Sequence, residues 1–190
     1  VGHRDYNKLT LVGIDLIEFI SNKLGKKMIE VDIKNCFPRI VYALNGMELP
    51  NDFYGLDRQK NKKRINVALN SFRLDPDKNR SEAKQRADNR ALLLKVGIDE
   101  RCVEWLMANH FNNAFKGDFF NFLAYHERCL IGAAIEKLRS YEPDVDFYRR
   151  HDSFLVFEDI NYRCLDNFEY LGFKGWFDSY KISEDDSLFF

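Results

Sequence analysis

The sequence lacks the cysteine spacing of zinc sites and of disulfide-linked domains. It contains four cysteines, none of them in a CxxC pair and none close to paired histidines. A structural zinc site needs such closely spaced ligands, and a disulfide framework is typical of small, cysteine-rich secreted domains. We therefore expect reduced thiols, most of them buried, and neither a zinc site nor a disulfide framework.

Long apolar runs are also missing. Charged residues interrupt every apolar stretch well before the roughly 18 residues that a membrane span requires, and residues 1–20 do not have the pattern of a signal peptide. Internal repeats and low-complexity tracts are absent from the sequence as well. These absences predict a soluble, cytoplasmic protein without a membrane partner.

A strong net charge is lacking, although the charge is unevenly distributed. The formal net charge of -1 argues against a general nucleic-acid coat protein. Residues 158–190 contain eight acids and three bases, a balance of -5, so residues 1–157 carry +4. Five of the seven residues in 58–64 are basic, which indicates either a solvated helix face or a phosphate-binding surface.

Apolar and aromatic side chains are plentiful. They make up 45% and 15% of the 190 residues, enough for the core of one domain or of a domain with a smaller lobe. Three- and four-residue apolar spacings predict helices over residues 9–24, 57–72, 99–111 and 118–139. Residues 40–44 are expected to form a short helical segment. Residues 73–90 have almost no apolar side chains and are expected to be a mobile solvated loop or an exposed helix.

Two segments have the β-branched and aromatic composition of strands. One is 28–33, which ends near Asp32, and the other is 145–157, with strand residues on both sides of Asp152 as in a hairpin. Neighbouring strands of one sheet can bring two such acids together, as a site for two metal ions requires. Two acids on strands nevertheless occur by chance in most proteins of this size.

The residues around both aspartates resemble motifs of family A DNA polymerases and phage-type single-subunit RNA polymerases. Residues 149–158 resemble motif C, a His-Asp hairpin followed by apolar residues, and residues 31–38 resemble motif A. Residues 58–71 resemble motif B, the fingers helix whose basic side chains bind the incoming triphosphate. The motifs occur in the family's order, and the resemblance spans residues 28–158.

The resemblance implies a DNA polymerase-like, template-dependent nucleotidyltransferase that uses two Mg²⁺ or Mn²⁺ ions on a primer-template. Asp32 and Asp152 are implied as catalytic metal ligands, together with the backbone carbonyl of Ile33. Motif B allows two registers for the triphosphate-binding residues. One pairs Arg58 with Lys62, and the other pairs Lys63 with Asn66.

Further roles follow from the same resemblance. Phe37 stands five residues after Asp32, where the family places the residue under the sugar, which implies a preference for dNTPs. The implied primer-template contacts are His151, Glu127 and Arg128, the last two in a helix that resembles the one preceding motif C. The sequence departs from the family where Asn70-Ser71 stands in place of the Tyr-Gly of motif B and where Leu130 replaces a Gln.

The fold implied is α+β, with a palm-like antiparallel sheet that carries both aspartates. Residues 1–49 and 116–190 are predicted to form the palm-like part, with backing helices at 9–24 and 118–139. Residues 50–115 are predicted to be a helical, fingers-like insertion.

Three alternatives remain open at this point. Reverse transcriptases share similar catalytic strands, but their fingers precede the first aspartate, whereas here 31 residues precede Asp32 and 119 separate it from Asp152. A metal-dependent phosphohydrolase of the HD type needs its His-Asp pair on a helix. The third alternative is an inactive palm-like module that binds nucleic acid or assists replication assembly.

The last residues suggest a protein partner. Residues 184–190 combine three acids with Leu-Phe-Phe, and we expect them to be disordered in the free protein. Part of this tail is similar to the short peptides that dock replication proteins on sliding clamps, although the leading Gln is missing. The tail is therefore predicted to bind a replication partner, unless it folds back onto the core.

Overall fold

The computed structural model describes residue 19 and residues 21–70, 81–109, 119–150 and 152–181. These residues form two compact units, one from the described part of Asn35–Glu127 and one from the described parts of Arg4–Lys34 and Arg128–Phe190. The first is helical and the second contains the strands. The predicted α+β class with a small antiparallel sheet is therefore confirmed.

The sheet unit has six short strands. They are β1 (Met28–Ile33), β2 (Phe147–Arg149), β3 (Ser153–Phe157), β4 (Glu169–Tyr170), β5 (Phe173–Lys174) and β6 (Phe177–Lys181). Four of them form an antiparallel sheet in the order β2-β3-β1-β6, and β4 pairs with β5. A 3-10 helix occupies Tyr162–Asn167. The strand predicted at 28–33 and the hairpin predicted within 145–157 are confirmed, whereas the last three strands were not predicted.

One face of the β1–β3 pair is apolar throughout. Its side chains, none more than 1% exposed, are Ile29, Val31, Ile33, Phe154 and Val156. Opposed aromatic and β-branched side chains of this kind stabilise an antiparallel pair. The other face has a smaller apolar cluster of Met28, Leu155 and Phe157, beside which Glu30 is also buried. A buried carboxylate in the central strand needs hydrogen-bonding or charged partners.

The helical unit is built from consecutive helices. These are α1 (Cys36–Leu44), α2 (Arg58–Asn70), α3 (Glu82–Lys95), α4 (Glu100–Asn109) and the first part of α5 (Phe119–Tyr141). Helix α1 packs against α2 and α4, and α3 packs against α2 and α4. The Asp99 N–H donates to the Tyr42 hydroxyl at 3.0 Å, and Arg90 pairs with Glu100 at 2.9 Å and Glu104 at 2.6 Å. These bonds connect α4 to both α1 and α3.

The chain passes from β1 into α1 through Asn35. This residue has a left-handed backbone, with φ 50° and ψ 45°, which asparagine tolerates better than most residues. Pro38 lies in the first turn of α1, where its missing N–H has no intrahelical acceptor to lose. The helix therefore begins at Cys36, one turn earlier than the segment expected at 40–44.

Most predicted helices agree with the structure. Those expected over 57–72, 99–111 and 118–139 are confirmed as α2, α4 and α5, with ends shifted by a few residues. Of the helix expected over 9–24, residues 21–24 are helical, and most of the rest lies outside the described residues. Residues 82–90 begin α3. Residues 71–80 and the tail 184–190 also lie outside the described residues. No helix in the described part of the chain is long and apolar enough to cross a membrane.

Candidate functional site

The pairing of β1 with β3 brings the two predicted catalytic aspartates to neighbouring positions. Asp32 lies opposite Ser153, and the Ile33 N–H donates to the Asp152 carbonyl oxygen at 2.9 Å. Asp152 is therefore one residue along the chain from Ser153, the residue opposite Asp32. The Cα atoms of opposed residues are about 5 Å apart, and one residue along a strand adds a rise of about 3.4 Å. Asp32 and Asp152 are both partly exposed.

Asp152 lies in the hairpin connection between β2 and β3. The Arg150 N–H donates to the Ser153 carbonyl at 2.9 Å, and Arg149 pairs with Phe154 in the next position of the β2–β3 ladder. Asp152 therefore lies in the connection between these two strands. His151, the predicted primer-template contact, lies outside the described residues. An HD-type phosphohydrolase requires its His-Asp pair on a helix, whereas Asp152 itself lies between two strands.

The two residues that flank this turn are both anchored to Glu30 on β1. Glu30 is 6% exposed, accepts a hydrogen bond from the Ser153 hydroxyl, and accepts one from Arg150 Nη1 at 3.0 Å. The Glu30 and Arg150 side chains are 8% and 16% exposed, so the ion pair is largely desolvated. Sequence reasoning did not identify Glu30, because its partners are 120 and 123 residues away.

A further carboxylate lies on the other side of β1. Asp178 on β6 is directly opposite Asp32. Like charges at opposed positions destabilise a strand pair, and the Lys34 ammonium, 2.7 Å from Asp178 Oδ1, supplies a counter-charge. The row of Ser153, Asp32 and Asp178 across β3, β1 and β6 therefore concentrates acidic and hydroxyl oxygens in one part of the sheet.

Protein ligands for a metal are few at this position. Within the described ranges, no group of three or more His, Cys, Asp or Glu side chains is placed to hold a metal ion. Asp32 and Asp152 provide two carboxylates with hard oxygen atoms. Magnesium sites in nucleotide-processing enzymes often use only one or two carboxylates and take their other ligands from water and substrate phosphates. The donor chemistry thus fits magnesium, and the metal itself stays a prediction.

The predicted triphosphate-binding bases all lie on α2 in the helical unit. Arg58 begins the helix, with its Nη2 3.4 Å from Asn35 Oδ1 and its guanidinium 5.9 Å from the centre of the Tyr54 ring. Lys62 and Lys63 are exposed. Arg58 and Lys62 share a helix face at a four-residue spacing, and Lys63 and Asn66 do so at three. The helix geometry therefore accommodates both registers of motif B.

The basic surface of α2 differs from that of α3. The α2 sequence has five bases and no acid, and in the described structure no carboxylate lies within ion-pair distance of its lysines or of Arg64. By contrast, Arg86 and Arg90 of α3 pair with glutamates. Arg64 and Lys95 border a cleft of about 190 Å³ that Phe53, Asn61, Ile65, Val96 and Gly97 also line. The sequence alone did not point to Lys95.

Two predicted site residues are buried. Phe37 in the first turn of α1 is 5% exposed, and Glu127 on α5 is 2% exposed. The Cys36 thiol lies 3.8 Å from Glu127 Oε2. Arg128 is partly exposed. The sugar-sensing role of Phe37 and the primer-template roles of Glu127 and Arg128 stay predictions. The roles of Phe37 and Glu127 require contact with the substrate, whereas the structure holds both side chains in the interior.

The four cysteines are free thiols in the structure. Cys36 and Cys102 are buried, and Cys129 and Cys164 are partly exposed. Burial raises the pKa of Cys102 to about 12, and burial also raises the pKa of Cys164. The Cys102 and Cys164 thiols are therefore protonated and poorly nucleophilic at neutral pH.

Comparison of the chain with protein-family models, with curated proteins and with solved structures gave no match in any of the three.

Proposed function

We propose that the chain is the palm-like and fingers-like part of a template-dependent nucleotidyltransferase, which extends a primer with dNTPs. The observation that carries this proposal is the register of β1 and β3. It sets Asp32 at the end of a central strand beside Asp152 at the tip of a hairpin. Carboxylates on rigid, adjacent elements are what a shared two-metal site demands.

The residues of the proposed site divide into metal ligands and triphosphate-binding bases. Asp32 and Asp152 would hold the metal ions through carboxylate oxygens, together with the Ile33 carbonyl. Mg²⁺ held there would supply activation of the primer hydroxyl and positive charge beside the triphosphate. Arg58 and Lys62, or Lys63 in the other register, bind the triphosphate as planar fork and point charge respectively.

The bases of α2 support a phosphate-bearing substrate. A lysine that already has a carboxylate partner must lose it to bind phosphate, whereas Lys62 and Lys63 have no such partner in the described structure. Helix α2 thus offers a positive surface on which triphosphate oxygens replace water. The same surface suits the backbone of a nucleic-acid strand.

A second candidate is a palm-like nucleic-acid-binding or replication-assembly module without activity. The burial of Phe37 and Glu127 favours it, because two residues expected at the substrate are in the interior. A binding module has no need of divalent ions at Asp32 and Asp152. Divalent metal binding at these aspartates therefore discriminates between the two functions.

Primer extension with labelled dNTPs and rNTPs, in Mg²⁺ or Mn²⁺, tests the proposal directly. The parent is expected to extend a primed template and Asp152→Asn to fail while remaining folded. Asp159→Asn is the matched control, because Asp159 is an exposed acid that pairs with Lys26 at 2.8 Å beyond the end of β3. No extension by the parent on either DNA or RNA templates, together with no Mn²⁺ binding, would sink the enzymatic proposal.

A further inference from the structure

Glu30 is buried in the central strand, and its charge has specific partners. Its carboxylate accepts hydrogen bonds from the Ser153 hydroxyl and from Arg150 Nη1, the latter at 3.0 Å. An ionised carboxylate that is 6% exposed would be strongly disfavoured without such donors. Both donors come from one short segment of chain, which is far from β1 in the sequence.

That segment is the hairpin turn. Arg150 is the last residue before the turn and Ser153 is the first residue after it, so the two donors bracket Asp152. Two further bonds fix the turn: the Arg150 N–H donates to the Ser153 carbonyl, and the Ile33 N–H donates to the Asp152 carbonyl, each at 2.9 Å. Glu30 and Ile33 are both on β1, so one strand anchors the turn through a side chain and through its backbone.

On the face of the sheet that carries Glu30, the polar anchors lie closer to the turn than the apolar cluster does. The apolar cluster on this face of the sheet consists of Met28, Leu155 and Phe157, which lie further along the strands from the turn. Glu30 therefore adds polar contacts to the residues on both sides of Asp152. The residues that donate to Glu30 are Arg150 and Ser153. Because they lie on both sides of Asp152 in the chain, their positions constrain the position of Asp152.

We propose that Glu30 is a positioning residue, which fixes the Asp152 turn against β1 through Arg150 and Ser153. This inference rests on the proposed function for its catalytic consequence, since a fixed Asp152 matters because a metal ligand must be held in place. The role proposed for Glu30 is exerted through Arg150 and Ser153, the two donors to its carboxylate, and not as a metal ligand. Partners that orient metal ligands typically change metal affinity or activity by about 10–100-fold when they are removed.

Glu30→Gln is the first test variant, because the amide keeps the shape of the side chain and can still accept from Ser153 but loses the charge that binds Arg150. The double variant Glu30→Gln/Arg150→Gln removes both charges, so that no unpaired buried charge confuses the result. The matched control is Leu155→Ala. Leu155 lies opposite Glu30 and is 3% exposed, so its truncation weakens the same part of the sheet and leaves the polar network in place.

Amide hydrogen exchange reports on the turn without reference to activity. The Ile33 and Arg150 amides donate the two bonds that hold the turn, and the Glu158 amide donates to the Lys27 carbonyl at the other end of the same strand pair at 2.9 Å. We expect exchange at Ile33 and Arg150 to accelerate at least about tenfold in both Glu30 variants relative to Glu158. In Leu155→Ala the three amides are expected to change together.

Mn²⁺ titration and primer extension supply the functional readouts. The Glu30 variants are expected to bind Mn²⁺ about tenfold more weakly and to show a larger effect on turnover than on nucleotide KM, whereas Leu155→Ala keeps both within about twofold. Unchanged exchange at Ile33 and Arg150 overturns the positioning role even if the parent is an active polymerase. If exchange accelerates in the Glu30 variants but the parent neither binds Mn²⁺ nor extends primers, the proposed function is overturned and Glu30 remains the anchor of the turn.

Discussion

Asp32 and Asp178 lie directly opposite each other on β1 and β6, and Lys34 is within 2.7 Å of the second carboxylate. Lys34 therefore lowers the negative potential around the predicted metal ligands. Because Lys34 and Asp178 are 36% and 63% exposed, the ion pair contributes little to folding, on the order of 0–1 kcal/mol. Its effect on a bound cation is more easily measured than its effect on stability.

Removal of this ammonium should favour a divalent cation at the site. In Lys34→Met, Mn²⁺ affinity is expected to rise by up to about fivefold, the equivalent of roughly 1 kcal/mol. Isothermal titration or electron paramagnetic resonance measures it. Lys26→Met is the control, because it breaks the similarly exposed Lys26–Asp159 pair near the other end of β1. Equal changes in both variants would mean that the effect is one of net charge alone.

Loss of either predicted metal ligand should abolish turnover. Asp32→Asn and Asp152→Asn are each expected to lower the rate of primer extension by at least about a thousandfold, because metal ions supply several kcal/mol of transition-state stabilisation. Circular dichroism melts should remain close to those of the parent, since both side chains are partly exposed. Residual extension within about tenfold of the parent would show that the metals, if present, are held elsewhere.

The variant Phe37→Ala distinguishes between two roles of the Phe37 side chain, contact with the sugar and packing in the core. If it lies under the sugar, Phe37→Ala raises the ratio of rNTP to dNTP incorporation, as single-nucleotide extension kinetics would show. If the ring only fills the core, where it is 5% exposed, the variant loses about 3–5 kcal/mol of stability and keeps the sugar preference of the parent. Measured together, the ratio and the unfolding free energy distinguish the two.

The cleft between Arg64 and Lys95 should contribute to nucleic-acid binding. Arg64→Gln/Lys95→Gln is expected to weaken binding of a fluorescent single-stranded oligonucleotide in EDTA. The slope of log K against log salt should become shallower by about 0.7 for each phosphate that the variant no longer neutralises. Lys84→Gln is the control, since Lys84 is an exposed base of α3 that does not line the cleft. If Lys84→Gln weakens binding equally, oligonucleotide binding does not depend on the bases that line the cleft.

The protein should lose stability at alkaline pH. Burial raises the pKa of Cys102 to about 12 from 9.0, so between these values the unfolded chain releases a proton that the folded protein retains. Stability due to this thiol is complete below about pH 9 and falls as the pH rises towards 12. Tyr54, with its pKa raised by burial to about 12, acts in the same direction. Denaturant unfolding from about pH 8 to 11 should therefore show a shallower decline in Cys102→Val than in the parent.

The parts of the fold that were predictable from sequence are those with a local signal. The apolar spacing of 118–139 is sufficient to predict α5, and the β-branched run 28–33 is sufficient to predict β1. Strand β6 was not predictable, because its partner β1 is far away in the chain and its own sequence mixes charged and polar residues with two aromatics. Pro38 suggests a helix boundary, although a proline in the first helical turn costs no hydrogen bond.

The candidate site was predictable only in its pair of aspartates. Asp32 and Asp152 were found because each stands in a strand-like segment that resembles a known motif. Glu30 has no such signal, since a glutamate in a strand is as readily exposed as buried. Its importance emerges only from the register that places Arg150 and Ser153 beside it.

The central position of β1 also sets the order in which the site can form. The β2–β3 hairpin and the helices join residues that are near in sequence, whereas the bond between Glu30 and Ser153 closes a loop of 123 residues. Closing a long loop is an entropic cost that must be met before its contacts form, so non-local pairing is slow. Asp32 and Asp152 should therefore meet late in folding, and a chain that is interrupted during synthesis before residue 153 cannot form the β1–β3 pairing that brings them together.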